Sequence, residues 1–259
     1  MSLLAGRKGL VFGVANDRSI ACHVAAALSG QGAVCGFAHL PGEKNERRAR
    51  KAIEEAGFTD PWMAACDVSS DEDLDRTFAA AREKFDAIDF LVHSVAFADR
   101  AWLKPGMFAE TPRDAFLQAI DISAYSLVAM AKRAKAIMPA GGSIVAMTYY
   151  GSEKAVPGYN VMGVAKAALE ANCRYLAAEL GASGIRVNTI SAGPLRTLSS
   201  MAVGGIDEIF DWVARKSPLQ RNITADEVGK LAVFLLSDLA SGVTAQNVFV
   251  DAGYSSIGL

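Results

Sequence analysis

Residues that bind metals or form disulfides are scarce in this sequence, and neither charge sign dominates. Among 259 residues there are three histidines and four cysteines, and no two cysteines form a CxxC pair. No histidine has metal-ligand spacing to a cysteine or another histidine, so we expect no metal site and four reduced core thiols. Lys and Arg number 26 against 28 Asp and Glu, giving a net charge of −2. This balance provides no electrostatic basis for binding nucleic acid.

Long apolar runs are also missing. No run reaches the roughly 18 residues that a membrane-spanning helix requires. The first 13 residues lack the apolar stretch and small-residue cleavage site of a secretory signal. We therefore expect a cytoplasmic protein that does not associate with membranes. The chain length and its 51 % apolar content suit one large α/β domain better than two small ones.

Seven short apolar runs alternate with segments of helical length. The runs are apolar on both sides, which is typical of strands covered by helices on both faces. The alternation predicts an α/β fold: a single-domain Rossmann-type doubly wound parallel sheet of about seven strands, spanning residues 1–259. The predicted strands are 9–12, 33–38, 61–65, 90–93, 143–147, 185–190 and 247–250, and the predicted helices 20–31, 46–56, 71–85, 113–137, 159–181 and 225–236.

A complete GxGxxG fingerprint is missing after the first strand. Gly13 is the one glycine in the turn to the next helix, although Ala15, Ser19 and Ala21 are small. A dinucleotide site needs a tight turn here, because backbone N–H groups at the helix N-terminus must approach a pyrophosphate. Taken alone, the segment fits a dinucleotide site and an ordinary polar turn about equally well.

The ends of the following strands leave the choice of cofactor open. An acidic residue after the second strand would favour NAD and an arginine NADP, but residues 37–40 contain neither. Arg47 and Arg48 fit a solvated helix face at least as well as a phosphate clamp. After the third strand, the Asp67 carboxylate could accept a hydrogen bond from adenine or could cap a turn. We expect NADH as the cofactor, with NADPH as the alternative.

A tyrosine and a lysine are spaced for chemistry on one helix face. Tyr159 and Lys166 are seven residues apart, about two helical turns. The ammonium could hold the nicotinamide ribose hydroxyls and lower the pKa of a nearby phenol. The phenol could donate a hydrogen bond to oxygen charge that develops during hydride transfer. Judged by spacing alone, Tyr159 is better interpreted as a loop tyrosine and Lys166 as a solvated lysine than as a catalytic pair.

Together these motifs resemble the short-chain dehydrogenase/reductase superfamily and, within it, the FabI-type enoyl-[acyl-carrier-protein] reductases. The usual superfamily motif has its tyrosine four residues before the lysine, where this chain has Met162. The Tyr-x6-Lys pattern, with Tyr149 ten residues before Tyr159, is similar to the enoyl reductase variant. The resemblance covers essentially the whole chain, through segments 13–21, 120–123, 159–163, 190–197 and 250–253.

The resemblance implies reduction of the trans-2 double bond of fatty-acyl thioesters in fatty acid biosynthesis. Tyr159 would donate to the thioester carbonyl oxygen, Tyr149 would face or support the substrate, and Ala98 would touch it. Lys166 would hold the cofactor ribose. The other implied cofactor contacts are Gly13, Ser19, Ile20, Leu40, Asp67, Val68, Val95, Leu195, Arg196, Thr197, Leu198 and Ser199. The implied partners are an acyl-carrier protein bearing the substrate and further subunits of a homotetramer.

Residues 198–212 are rich in apolar side chains and glycine. In the family this region covers the acyl chain, so the resemblance implies a substrate lid. An amphipathic helix that simply packs on the core is the alternative. The apolar segments 123–137 and 161–180 would suit subunit packing. Two other functions stay open: a ketone reductase, against which Met162 speaks, and a dinucleotide-binding protein without catalysis.

Overall fold

A seven-stranded parallel sheet forms the centre of the structure, a computed structural model that describes residues 2–198 and 200–258. The strand order is β3-β2-β1-β4-β5-β6-β7, which confirms the predicted doubly wound sheet. The strands are β1 (Lys8–Phe12), β2 (Val34–His39), β3 (Met63–Ala65), β4 (Phe90–His93), β5 (Gly142–Thr148), β6 (Ile185–Ala192) and β7 (Asn247–Val250). The helices are α1 (Ile20–Ser29), α2 (Glu43–Glu55), α3 (Asp71–Phe85), α4 (Arg113–Ile120), α5 (Ser126–Ala136), α6 (Val161–Leu180), α7 (Ile206–Lys216) and α8 (Ala225–Leu236).

The central strands bury side chains on both faces of the sheet. In β1, Val11 joins one hydrophobic cluster, whereas Leu10 and Phe12 join the cluster on the opposite face. This explains why the strand sequences are continuously apolar rather than alternating. The strand order reverses between β1 and β4, so the loops that follow these strands diverge. A crevice therefore opens at their carboxyl ends, where ligands of such sheets bind.

The predicted helix over 113–137 is interrupted in the structure. Between α4 and α5 the chain forms a π-helical turn at Asp121–Tyr125. Two buried serines make hydrogen bonds there: Ser123 Oγ bridges the N–H and the carbonyl of Phe97, and Ser126 Oγ donates to the Ile122 carbonyl at 2.7 Å. Such side-chain bonds compete with the regular helix ladder. Apolar periodicity does not reveal them, so the uninterrupted helix was a wrong prediction.

Two predicted helix starts are confirmed by their capping contacts. Ser70 accepts a hydrogen bond from the Asp73 N–H at the start of α3, and Thr224 forms a capping box with Glu227 at the start of α8. The four cysteines are buried and free. Within the described residues, no group of His, Cys, Asp and Glu is arranged to hold a metal ion. None of the described helices combines the length and apolar character needed to cross a bilayer.

Candidate active site

A cavity of about 160 Å³ lies at the carboxyl ends of β4, β5 and β6. Its floor is formed by residues that end these strands, and α6 and α7 contribute side chains to its walls. Seven of the residues predicted from the sequence line it: Ile20, Val95, Tyr149, Tyr159, Lys166, Leu195 and Thr197. The structure therefore brings the tyrosine–lysine motif together with residues from the glycine turn and from the segment after β6.

Tyr159 lies just before α6, two residues upstream of the helix start at Val161. The prediction that Tyr159 and Lys166 share one helix face is therefore wrong, because the positive φ of Asn160 (+45°) interrupts the helical backbone between them. Its ring packs edge-to-face against Tyr149, with ring centroids 5.0 Å apart. Gly151 makes this placement feasible, since a Cβ atom at that position would collide with the Tyr159 ring. Met162 is buried and also lines the cavity. The pair Tyr149–Tyr159 is thus held as one aromatic unit at the end of β5.

Lys166 is a buried ammonium, with 5 % of the residue exposed. Its Nζ donates a hydrogen bond to the Met147 carbonyl at 2.8 Å. Burial lowers the pKa of Lys166 to about 8, and the Glu170 carboxylate opposes this shift. An ammonium has three N–H donors, and the Met147 carbonyl accepts one of them. Because Lys166 lines the cavity, a ligand there can accept from the ammonium.

The two cavity tyrosines stay protonated at neutral pH. Burial raises the pKa of Tyr159, and the neighbouring Tyr149 and Glu170 raise it further. Burial also raises the pKa of Tyr149. The expected lowering of the phenol pKa by Lys166 is therefore not found: removal of the phenolate from water is the largest cause of the shift, and Lys166 is not among its causes. Tyr159 is consequently a hydrogen-bond donor and not a base.

The glycine turn brings two strand ends unusually close. Gly13 has φ +103°, and a Cβ atom there would collide with the Ser94 carbonyl. Ser19 lies behind the cavity wall, where its Oγ accepts hydrogen bonds from the Ala15 and Asn16 N–H groups at 3.0 Å each. Ile20 begins α1 and lines the cavity. The turn thus brings the ends of β1 and β4 together at the N-terminus of α1, and a helix N-terminus is a favourable position for a pyrophosphate.

Several predicted cofactor residues lie outside the cavity lining. Leu40 is 59 % exposed at the end of β2. The Asp67 carboxylate accepts hydrogen bonds from the N–H and Oγ of Ser69, at 3.0 and 2.7 Å. This is the turn-capping contact that the sequence left as an alternative. Val68 is half-buried against the core cluster beside β4.

The predicted cofactor residues in the segment after β6 do not all lie at the cavity. Arg196 forms an ion pair with Asp207 at 2.8 Å, and its guanidinium lies 4.5 Å from the centre of the Phe210 ring. Leu198 borders a separate crevice beside Arg48. Ser199 lies outside the described residues. Arg196 therefore contacts α7 rather than the cavity.

The apolar wall of the cavity is assembled from separate loops. Val203, Ile206 and Ile209 line it from the predicted lid segment, and Leu103 lines it from the loop after β4. Gly204 N–H donates to the Leu103 carbonyl at 2.8 Å, which joins the two loops. Ala98 is half-buried in the same apolar cluster. The helix α7 thus packs on the core, through buried Phe210 and Val213, and also borders the cavity.

Sequence reasoning missed several residues of this cavity. Thr148 ends β5 and lines it. The rule that ligands meet the carboxyl ends of parallel strands could have found this residue. Leu103 reaches the cavity through the packing of the loop after β4, for which residue spacing contains no signal.

The family assignment follows from comparison with known proteins. The sequence model described as "Enoyl-(Acyl carrier protein) reductase" matches residues 13–255. The chain belongs to this family. The enoyl-[acyl-carrier-protein] reductase [NADH] FabI of Nostoc sp. is 48 % identical over 258 residues, 99 % of each chain. The enoyl-[acyl-carrier-protein] reductase [NADPH] FabI of Staphylococcus aureus is 47 % identical and covers 98 % of each chain.

A solved structure in the same family has closely similar coordinates. The Bacillus cereus enoyl-acyl carrier protein reductase, crystallised with NADP+ and indole naphthyridinone, superimposes with a TM-score of 0.96. It is 47 % identical, and the alignment covers 100 % of both chains. The resemblance inferred from Tyr149, Tyr159, Met162 and Lys166 is thus confirmed at the level of the family, and these four side chains line one cavity of this enoyl reductase family member.

Proposed function

We propose that the protein is an enoyl-[acyl-carrier-protein] reductase that reduces the trans-2 double bond of fatty-acyl thioesters in the elongation cycle of fatty acid biosynthesis. One observation carries the proposal: the Tyr159 phenol and the buried Lys166 side chain line one cavity whose other lining residues are mostly apolar. The names of relatives about 47 % identical over nearly the whole chain support the same activity.

NADH is the proposed cofactor, with NADPH as the alternative. Its pyrophosphate would meet the turn at Gly13 and the N-terminus of α1, and Lys166 would donate to its ribose hydroxyls. The close approach of Gly13 to Ser94, which a Cβ would prevent, fits such a ligand. When bound, the dihydronicotinamide supplies a hydride to the β-carbon of the substrate. Leu40 gives no charge with which to select between the cofactors, and the relatives include both NADH and NADPH enzymes.

Tyr159 is the proposed catalytic donor. Its hydroxyl donates a hydrogen bond to the thioester carbonyl oxygen, on which negative charge accumulates as the β-carbon is reduced. A positioned donor of this kind contributes about 10²–10³ in rate. The enolate then takes a proton at the α-carbon. Tyr149 supports the reaction through its ring contact with Tyr159, and Val203, Ile206 and Ile209 exclude water from the site.

The apolar wall is the proposed binding surface for the acyl chain. In this proposal residues 198–212 cover the substrate, and Ala98 contacts it from the opposite loop. The remaining predicted cofactor contacts, at Ser19, Asp67, Val68, Val95, Leu195, Arg196, Thr197, Leu198 and Ser199, are proposals of the same kind, as is the single-domain organisation over residues 1–259. Arg196 would serve indirectly, because its ion pair with Asp207 joins the segment after β6 to α7.

The proposed assembly is a cytoplasmic homotetramer that receives its substrate on an acyl-carrier protein. Large apolar side chains remain exposed on the helices of one sheet face: Leu117 on α4, Val164 and Tyr175 on α6, and Tyr125 before α5. Tyr175 is 80 % exposed, and a subunit packed on these helices would cover it. Light scattering after size exclusion tests the assembly: a mass four times that of one chain supports it, and a monomer contradicts it.

The activity is tested by substrate comparison. Purified protein is mixed with NADH or NADPH and a medium-chain trans-2-enoyl thioester, carried by acyl-carrier protein or by coenzyme A, and nicotinamide oxidation is followed at steady state. We expect turnover of the enoyl substrate and none of an acetoacetyl thioester. Turnover of only the acetoacetyl thioester would identify a ketone reductase, and cofactor binding without turnover of either would identify a non-catalytic protein.

A further inference from the structure

A buried carboxylate lies next to the site and has no part in the chemistry described so far. Glu170 is on α6, one helical turn after Lys166, and is 7 % exposed. Its Oε1 accepts a hydrogen bond from Thr148 Oγ1 at 2.6 Å. Thr148, the last residue of β5, is buried as well. Burial of an ionised carboxylate is unfavourable unless it is compensated, so the position of Glu170 requires a reason.

At the end of β5, where Glu170 is hydrogen-bonded, three consecutive residues each contact a residue of the site or Glu170. The Met147 carbonyl accepts from Lys166 Nζ at 2.8 Å, Thr148 bonds Glu170, and Tyr149 packs on Tyr159. A displacement of Thr148 would therefore move both the acceptor of the lysine and the ring that supports the tyrosine. The hydrogen bond from Thr148 to Glu170 ties this strand end to α6, the helix on which Lys166 is located.

Glu170 supplies negative charge that stabilises the buried Lys166 ammonium. On its own helix, Glu170 raises the pKa of Lys166 against the effect of burial. From β4, His93 is buried and neutral, because burial and the Lys166 charge lower its pKa to about 3. The phenols of Tyr149 and Tyr159 face the cavity uncharged, since burial raises their pKa values. Among the described residues, Glu170 is the charged group that acts on the Lys166 pKa.

We propose that Glu170 is a positioning residue for the cofactor site, which fixes the end of β5 through Thr148 and places a carboxylate one helical turn from the Lys166 ammonium. The inference rests on the proposed function, because it takes Lys166 as the group that holds the cofactor ribose. Glu170 acts through Lys166 and Thr148 and touches neither cofactor nor substrate.

The test is the pH dependence of NADH binding, measured without substrate by fluorescence titration. For the wild type we expect affinity to fall as the pH rises through about 8, where Lys166 loses its charge. Glu170→Gln keeps an oxygen that accepts from Thr148 but lacks the charge, so this fall should move to lower pH by about one unit. Glu179→Gln, at an exposed glutamate of the same helix, is the matched control and should follow the wild type.

Two results of this pH titration would overturn the proposal. One is a Glu170→Gln midpoint equal to that of the wild type, and the other is wild-type binding that shows no fall with pH. If Glu170→Gln does not fold by circular dichroism, Thr148→Val decides: it keeps the charge but removes the donor, and should weaken NADH binding roughly tenfold at pH 7. Thr148→Ser should restore binding. Wild-type affinity in Thr148→Val would then overturn the proposal.

This readout separates the inference from the proposed activity. A protein that shows the predicted pH shift but reduces no enoyl thioester would refute the proposed reaction and leave the role of Glu170 supported. A wild-type protein that binds neither NADH nor NADPH would overturn both.

Discussion

The close approach of Gly13 to Ser94 gives a prediction whose size follows from the structure. Gly13→Ala places a Cβ atom at φ +103° and against the Ser94 carbonyl. The positive φ costs about 1–2 kcal/mol for alanine, partly offset by about 0.4–1 kcal/mol from the lower entropy of the unfolded chain. Forcing an extra carbon into packed backbone adds about 1–3 kcal/mol. We expect destabilisation by about 2–4 kcal/mol and loss of NADH affinity.

Gly6→Ala is the matched control for this experiment. Gly6 also has a positive φ, +74°, but a Cβ there would have no neighbour within 4 Å. Gly6→Ala carries the conformational cost alone, so it should destabilise the protein by about 0–1.6 kcal/mol, with NADH binding unchanged. The free energy of unfolding is measured in urea for both variants, and NADH affinity by fluorescence. Equal destabilisation by the two substitutions would refute the reasoning that Gly13 is required by the contact with Ser94.

The remaining predictions concern the proposed donor, the buried lysine and one helix cap. Tyr159→Phe should lower kcat for an enoyl thioester by about 10²–10³ while NADH affinity stays the same; full activity would exclude the donor role. Lys166→Met should bind NADH weakly at every pH, as measured by fluorescence titration. The wild-type affinity should fall near pH 8, because the Lys166 ammonium is present below that pH and lost above it; the variant should show no such fall. Thr224→Ala should reduce the free energy of unfolding by about 1 kcal/mol in urea with kinetics unchanged, since the capping box of α8 is remote from the cavity lining.

Most of the fold could be predicted because its sequence signals are local. Leu10, Val11 and Phe12 are apolar in succession, and the structure buries them on opposite sheet faces. The caps at Ser70 and Thr224 likewise depend on residues three positions away. The π-helical turn before α5 could not be predicted, since it depends on the contact of Ser123 with Phe97, 26 residues distant.

The site could be predicted in part, and for a similar reason. Tyr159 and Lys166 belong to one sequence motif and both line the cavity. Helical spacing alone does not bring them there, because Tyr159 precedes the start of α6. Their electrostatics do not follow from the motif either: the Tyr159 pKa is raised rather than lowered, because burial depends on loops that close around the cavity. The burial of Glu170 could not be predicted either, since a glutamate four residues after a lysine also fits a solvated helix face. The structure shows that its carboxylate is buried and accepts a hydrogen bond from Thr148.

Isotope transfer shows whether this cavity reduces a carbon–carbon double bond. A medium-chain trans-2-enoyl thioester is incubated with NADH deuterated at C4 of the dihydronicotinamide, and the product is analysed by NMR and mass spectrometry. We predict a saturated acyl thioester that carries one deuterium at the β-carbon, formed by the wild type and hardly at all by Tyr159→Phe. Recovery of unchanged enoyl thioester, together with deuterium at the hydroxyl-bearing carbon when an acetoacetyl thioester is supplied instead, would contradict it.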